Sequence, residues 1–188
     1  MFHASSIRNG GAPLALLAAG AFVLAGCDSS TTGPENGLEP GQASFTVHLT
    51  DAPAEVADVW VEIADVRLVG QGQPISLLEE STGLINLLDL HGTSMVLVDE
   101  SEVEAGTYSQ LRFVLTGAVL ETMDGAVYAW GDVEHPEGLP TTGTLHCPSC
   151  AQSGLKVSFA GGLVLEEGPN AAWVDFDVSQ SFWRQAGQ

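Results

Sequence analysis

Two carboxylates near the C-terminus, Asp175 and Asp177, are spaced so that they could act together. Residues two apart in an extended strand project from the same face, which places these side chains roughly 7 Å apart. One interpretation is a calcium site, which needs six or more oxygen ligands and which Asp51 would help to complete. The alternative is a cross-strand ladder in which Arg112 and Lys156 neutralise the pair. Because no D-x-D-x-D-G loop occurs, the sequence favours the ladder and predicts no cofactor, with calcium as the open alternative.

Four aromatic residues form a second candidate site. Trp60, Tyr128, Trp130 and Trp173 alternate with aliphatic residues, so all four lie on the outer side of their strands if those neighbours face the core. Flat aromatic rings exposed on a sheet could stack on sugar rings. The equally good alternative is that a loop or a partner covers them, which would make them ordinary packing residues.

The histidines form no recognisable catalytic motif. His48, His91, His135 and His146 follow the N-terminal region, and none stands in a nucleophile-elbow or metalloprotease pattern. A glycosidase-type pair of carboxylates is not visible in a sequence, since its spacing is three-dimensional. We therefore expect a protein that is not an enzyme, with a carboxylate-dependent hydrolase as an alternative.

The charge balance argues against nucleic acid as a partner. The 188 residues include 5 Lys and Arg against 24 Asp and Glu, a formal net charge of -19. A polyanion of this strength is repelled by phosphate backbones. The 45% hydrophobic content nevertheless provides enough apolar side chains for a packed core.

The N-terminus has the features of a secretory leader. Arg8 is the only charged side chain before an uncharged run over residues 12–26, which is too short to span a bilayer stably. The run ends in Leu24-Ala25-Gly26-Cys27, which resembles the bacterial lipobox. The resemblance implies that residues 1–26 are a removed signal peptide and that Cys27 carries the lipid that anchors the protein to a membrane, outside the cytoplasm in the cell envelope. Loss of Arg8 makes the exported chain still more acidic.

The other two cysteines, Cys147 and Cys150, form a C-x-x-C pair. Cysteines of exported proteins are usually oxidised, so a local disulfide is the simplest interpretation. A zinc site would need His146 and a fourth ligand such as His135. A redox role would need a helix N-terminus beside the pair, and the flanking sequence predicts strands instead.

These residues must be positioned by an all-β domain. Residues 27–42 consist largely of Ser, Thr, Gly, Pro and Glu, which predicts a flexible linker. Residues 43–188 show short alternating runs with no sustained helical period, typical of a two-sheet sandwich. Among the runs, Ala64-Asp65 marks a phase change that predicts a bulge, and Asp124-Gly125 predicts a hairpin turn. The leucine-rich segment 85–90 fits a buried strand or a helical turn equally well.

Six segments in order resemble one family. They are Phe45 to Pro53, Asp58 to Val66, Leu87 to Gly92, Ala105 to Leu115, Gly154 to Val157 and Val174 to Ser179. Together they resemble the bacterial and archaeal family called domain of unknown function 4382. The resemblance implies an immunoglobulin-like or prealbumin-like sandwich on exported, often lipid-anchored proteins, and it brings no catalytic residues.

The sequence thus predicts a lipid-anchored exported protein whose β-sandwich binds a carbohydrate or a protein of the envelope or the environment. A calcium-stabilised structural or adhesive module is the alternative from a different class. Within the domain, Tyr108 shortly after Gly106 resembles the tyrosine corner of sandwich folds, which is a structural device rather than a binding site.

Overall fold

Two β-sheets make up the protein in a computed structural model, which describes residues 3–9, 38–51, 55–176 and 183–184. Its strands are β1 (His3–Asn9), β2 (Gln42–Asp51), β3 (Asp58–Val69), β4 (Ile75–Ser76), β5 (Leu84–Asn86), β6 (Met95–Glu104), β7 (Gly106–Glu121), β8 (Val127–Gly131), β9 (Gly143–His146), β10 (Leu155–Leu165), β11 (Gly168–Phe176) and β12 (Trp183–Arg184). The described residues contain no helix long and apolar enough to cross a membrane.

The smaller sheet has the order β1-β11-β2-β6, and the larger has the order β12-β9-β8-β7-β3-β4. In the larger sheet β10 also pairs with β7, and β5 pairs with β3. Both sheets are mixed, since β11 runs parallel to β2 and β8 runs parallel to β9. The long strand β7 therefore lies at the centre of the larger sheet, with β3 on one side and β8 and β10 on the other.

A single apolar core lies between the sheets. Phe45, Val47 and Leu49 of the smaller sheet and Leu111 and Phe113 of the larger are fully buried in the same cluster. The alternation of each strand predicts these inward positions. The all-β sandwich is confirmed, whereas the immunoglobulin-like or prealbumin-like subtype stays a prediction.

Two local predictions are confirmed and one ambiguity is resolved. The register of β3 against β7 shifts between Glu62 and Asp65, where the sequence predicts a bulge. The turn at Asp124-Gly125 joins β7 to β8, with Gly125 at φ 82°. The leucine-rich segment divides, because β5 ends at Asn86 and a short 3-10 helix follows at Leu88–Leu90. The Asn86 side chain accepts a hydrogen bond from the Leu88 amide at 3.1 Å, which favours this change of conformation.

The tyrosine corner is present at the start of β7. The Tyr108 hydroxyl donates a hydrogen bond of 2.7 Å to the carbonyl oxygen of Glu104, while the ring packs in the core. Burial, and after it the nearby Glu104 carboxylate, raises the pKa of Tyr108 above its ordinary value. Tyr108 therefore fixes the reversal between β6 and β7 as a neutral phenol.

Replacing Tyr108 by phenylalanine is expected to lower the free energy of unfolding by about 1 kcal/mol at neutral pH, because the ring remains and the hydrogen bond is lost. Because the folded-state pKa of Tyr108 is raised, the contribution of this residue to stability is fully present below the unfolded-state pKa of 10.0. It is lost as the pH rises through the folded-state pKa. The variant should therefore lose less stability than wild type above pH 10. Urea unfolding at neutral and at strongly alkaline pH measures both effects. An equal alkaline decline in the two proteins would contradict the role given to the buried phenol.

Part of the predicted leader is a strand in this structure. Strand β1 pairs antiparallel with β11, with Ser6 opposite Trp173 and His3 opposite Asp175. Residues 10–37, which include Cys27 and most of the predicted linker, lie outside the described residues. If residues 1–26 are removed, β11 loses this neighbour and becomes the edge of the smaller sheet.

Candidate functional site

Two residues of the predicted acidic site, Asp51 and Asp175, lie on neighbouring strands of the smaller sheet, one residue out of register. Asp175 lies on β11 opposite Thr50, and Asp51 ends β2 opposite Phe176. Asp177 lies outside the described residues. Arg112 and Lys156 belong to the other sheet, on β7 and β10, where they pair with each other. The predicted ladder of Asp175 with these two cations is therefore wrong, because the sequence pattern does not show which sheet each strand joins.

Carboxylates gather elsewhere, in a groove of about 490 Å³. Glu79 lies on one wall, and Asp99, Glu100 and Glu102 of β6 lie on the other. In the part of the chain that the structure describes, no three His, Cys, Asp or Glu residues are arranged to hold a metal ion. Calcium binding and the hydrolase alternative stay predictions.

Trp60 is covered rather than exposed. It is 9% exposed and forms a small second cluster with Val119 and Val127 on the outer face of the larger sheet. The His135 ring meets the Trp60 ring edge to face, with centroids 4.6 Å apart. The loop that follows β8 thus covers this tryptophan, which is the packing alternative and not an open sugar platform.

His135 holds that loop in place. Its side chain is fully buried, and Nε2 lies 3.1 Å from Oε2 of Glu121. Nδ1 accepts a hydrogen bond of 3.1 Å from the backbone N–H of Glu137, so the proton of the neutral ring is on Nε2 and is donated to Glu121. Sequence reasoning missed this pair because the partners are fourteen residues apart and follow no strand or helix period.

Tyr128 and Trp130 lie on the opposite side of β8 from the expected one. Both are half-buried and pack against the main core, while Val127 and Ala129 face the small cluster around Trp60. A Cβ added to Gly143 would lie 2.8 Å from the Tyr128 ring, so the backbone of β9 covers that ring closely. The prediction that Tyr128 and Trp130 face outward is wrong. Val127 and Ala129 on the other side of β8 are covered by Trp60 and Val133, so that side does not need the main core.

Trp173 forms the aromatic platform on the outer face of the smaller sheet. Its ring stacks on the His48 ring with centroids 4.6 Å apart and an interplanar angle of 3°. His48 and Trp173 are register partners on the parallel strands β2 and β11. Two buried polar atoms beside this stack, Nδ1 of His48 and Oδ1 of Asp175, have no hydrogen-bond partner within the described residues. Such atoms are costly to leave unpaired, so this patch is the strongest candidate contact surface on the smaller sheet.

The disulfide between Cys147 and Cys150 is present, as predicted, with Cα atoms 5.5 Å apart. Cys150 is fully buried, and its carbonyl accepts a hydrogen bond of 3.1 Å from the Leu115 amide. The bridge therefore tightens a loop that docks on β7. Oxidised sulfurs are not thiolate ligands, and His135 bonds to Glu121 instead, so the zinc alternative is not supported.

Comparison with known proteins identifies a family and nothing more specific. No curated protein and no solved structure matches the chain. The model of the family Domain of unknown function (DUF4382) matches residues 42–188, which span both sheets from β2 onward. The chain belongs to this family.

Proposed function

We propose that this protein is an exported lipoprotein, anchored in the cell envelope through an acylated Cys27. Its β-sandwich is a non-catalytic module that binds a carbohydrate or a protein outside the cytoplasm. The observation that carries the proposal is the uncharged run of residues 12–26 ending in Leu24-Ala25-Gly26-Cys27, placed directly before a polar linker and a packed domain.

The linker and the charge suit a domain held away from the membrane. Leu38 is buried and Gln42 begins β2, so about ten residues separate Cys27 from the domain. A flexible segment of that length spans roughly 17 Å. The formal net charge of the chain, -19, favours repulsion from anionic headgroups and so suits a domain held off the membrane surface. Both features leave the faces of the sandwich accessible to a ligand.

The patch of Trp173, His48 and Asp175 is the contact surface that we favour. Removal of residues 1–26 would take away β1, the antiparallel neighbour of β11, and thereby open the edge on which Trp173 and Asp175 lie. An aromatic ring with polar groups beside it suits a sugar, whose apolar face would stack on Trp173. Nδ1 of His48 and Oδ1 of Asp175 are buried while β1 is in place, so the proposal requires that removal of β1 exposes them to the sugar hydroxyls. A ligand there would satisfy the two unpaired polar atoms.

Mass spectrometry of the protein extracted from membranes tests the anchor. The expected mass lacks residues 1–26 and includes acyl groups on the new N-terminal Cys27. An intact leader, or a Cys27 sulfur without lipid, would overturn the proposed location.

Replacing Trp173 by alanine is expected to weaken binding to an array of neutral oligosaccharides about tenfold. Tryptophans that become buried against a ligand are typical binding hot spots. Trp130→Ala removes the same ring from a position that packs against the core, so it is the matched control and should retain binding. Circular dichroism of both variants checks that they fold. Oligosaccharide binding that Trp173→Ala leaves unchanged would exclude this patch as the sugar site.

A further inference from the structure

Three of the five basic residues of the chain stand in one row on the outer face of the larger sheet. Arg112 on β7 is the register partner of Lys156 on β10 and of Arg67 on β3. Adjacent strands are about 4.8 Å apart, so the row extends roughly 10 Å across the sheet. Like charges directly opposite each other destabilise a sheet. In a chain with 24 acidic residues, the row is therefore not explained by folding stability.

Among the described residues, one carboxylate forms an ion pair with the three cations of the row. Nε of Arg67 lies 2.7 Å from Oδ2 of Asp65, and Nε of Arg112 donates to the Gln110 side-chain oxygen at 3.1 Å. Lys156 is exposed and makes no ion pair within the described residues. The bonds described for the two arginines use Nε alone, which leaves their terminal guanidinium nitrogens for an oxyanion. Guanidinium forks bind such groups in bidentate geometry.

The surroundings differ on the two sides of the row. On one side, Gln110 and Ser158 form the next rung, with the amide nitrogen 3.4 Å from the hydroxyl oxygen. These neutral groups suit the hydroxyls of a sugar. On the other side lie carboxylates of β3, Asp65 and then Glu62, which bonds to the Thr116 hydroxyl at 2.7 Å. The cations thus form a narrow strip beside negative charge.

We propose that Arg67, Arg112 and Lys156 bind the carboxylate or sulfate groups of a linear acidic polysaccharide. A linear chain lying along the row contacts the cations and the neutral rung, whereas a flat anionic membrane would also meet Asp65 and Glu62. The net charge repels every polyanion at long range, but screening over about 8 Å at physiological salt limits that repulsion and preserves the contact attraction. The site is on the opposite sheet from the Trp173 patch and does not depend on it.

Binding of the full-length protein to immobilised alginate and dextran sulfate, with uncharged dextran as the blank, tests this site. The expected result is salt-sensitive binding to the charged polymers, well above any salt-insensitive binding to dextran at the separate Trp173 patch. Arg112→Gln should weaken binding about tenfold or more, because it removes a charge-assisted contact at the centre of the row. The same variant should melt no lower than wild type in low salt without polymer, since it relieves repulsion from both neighbours.

Arg184→Gln is the matched control, because it makes the same change in net charge on β12, outside the row. It should leave binding within about twofold of wild type, and so should Trp173→Ala. If Arg112→Gln does not fold, Lys156→Gln at the exposed end of the row replaces it. The proposal is overturned if neither charged polymer binds, or if Arg184→Gln weakens binding as much as Arg112→Gln. Binding to vesicles of anionic phospholipid without binding to either polymer would overturn it in favour of a membrane surface.

Discussion

Replacing Cys27 by serine is expected to move the protein from the membrane fraction to the soluble fraction almost completely. The proposed lipid is joined to the sulfur, which serine lacks, and each buried methylene contributes roughly 0.8 kcal/mol to membrane binding. Because two or three acyl chains hold a protein where one would exchange off, loss of the attachment atom should abolish retention rather than weaken it. Metabolic labelling with an alkyne fatty acid and cell fractionation measure both effects.

The matched control is the double variant Cys147→Ser/Cys150→Ser. It removes two sulfurs that form a disulfide and carry no lipid, so acyl labelling and membrane retention should persist. The short ring closed by that disulfide contributes only about 2 kcal/mol to stability, which leaves the domain folded. Acyl label that remains on Cys27→Ser would place the lipid on another residue and contradict the proposed attachment.

The alternation of apolar residues predicted the two inner faces but not every outer one. Phe45, Val47 and Leu49 are buried as expected, because the other side of β2 carries mostly polar residues. On β8 both sides are apolar, so period-two alternation separates Tyr128 and Trp130 from Val127 without showing which side meets the core. The loop that carries His135 decides the outcome, and its fourteen-residue separation from Glu121 leaves no periodic signal.

Strand pairing accounts for most of what the sequence left open at the candidate sites. Arg112 and Lys156 face away from the core, between the buried Leu111, Phe113 and Val157, yet the partners predicted for them were wrong. Register between distant strands follows from turn geometry and the packing of the whole sheet, and β7 and β10 are separated in sequence by β8 and β9. The basic row depends on the register among β3, β7 and β10, which alternation within a single strand does not determine.

The close approach of β7 and β8 leads to the largest expected effect on stability, at Gly131. This residue pairs with Gly117 at the end of β8 and has φ 83°, a region that costs other residues roughly 1–2 kcal/mol. A Cβ at Gly131 would lie 2.1 Å from the carbonyl oxygen of Thr116, which is backbone and has no rotamer to change. Gly131→Ala is therefore expected to lower the free energy of unfolding by about 3 kcal/mol or more. Urea unfolding followed by circular dichroism measures this loss.

Gly125→Ala separates the two causes of that loss. Gly125 has a similar φ of 82° in the turn between the same two strands, but a Cβ there would meet no atom within 4 Å. It should therefore cost only about 1 kcal/mol, the backbone component alone. The excess at Gly131 then reports the contact between the end of β8 and the Thr116 carbonyl, which brings the following loop over Trp60. Equal losses of unfolding free energy in the two variants would mean that the end of β8 moves away from the Thr116 carbonyl at little cost. In that case His135, and not the pairing of Gly117 with Gly131, would hold the loop on Trp60.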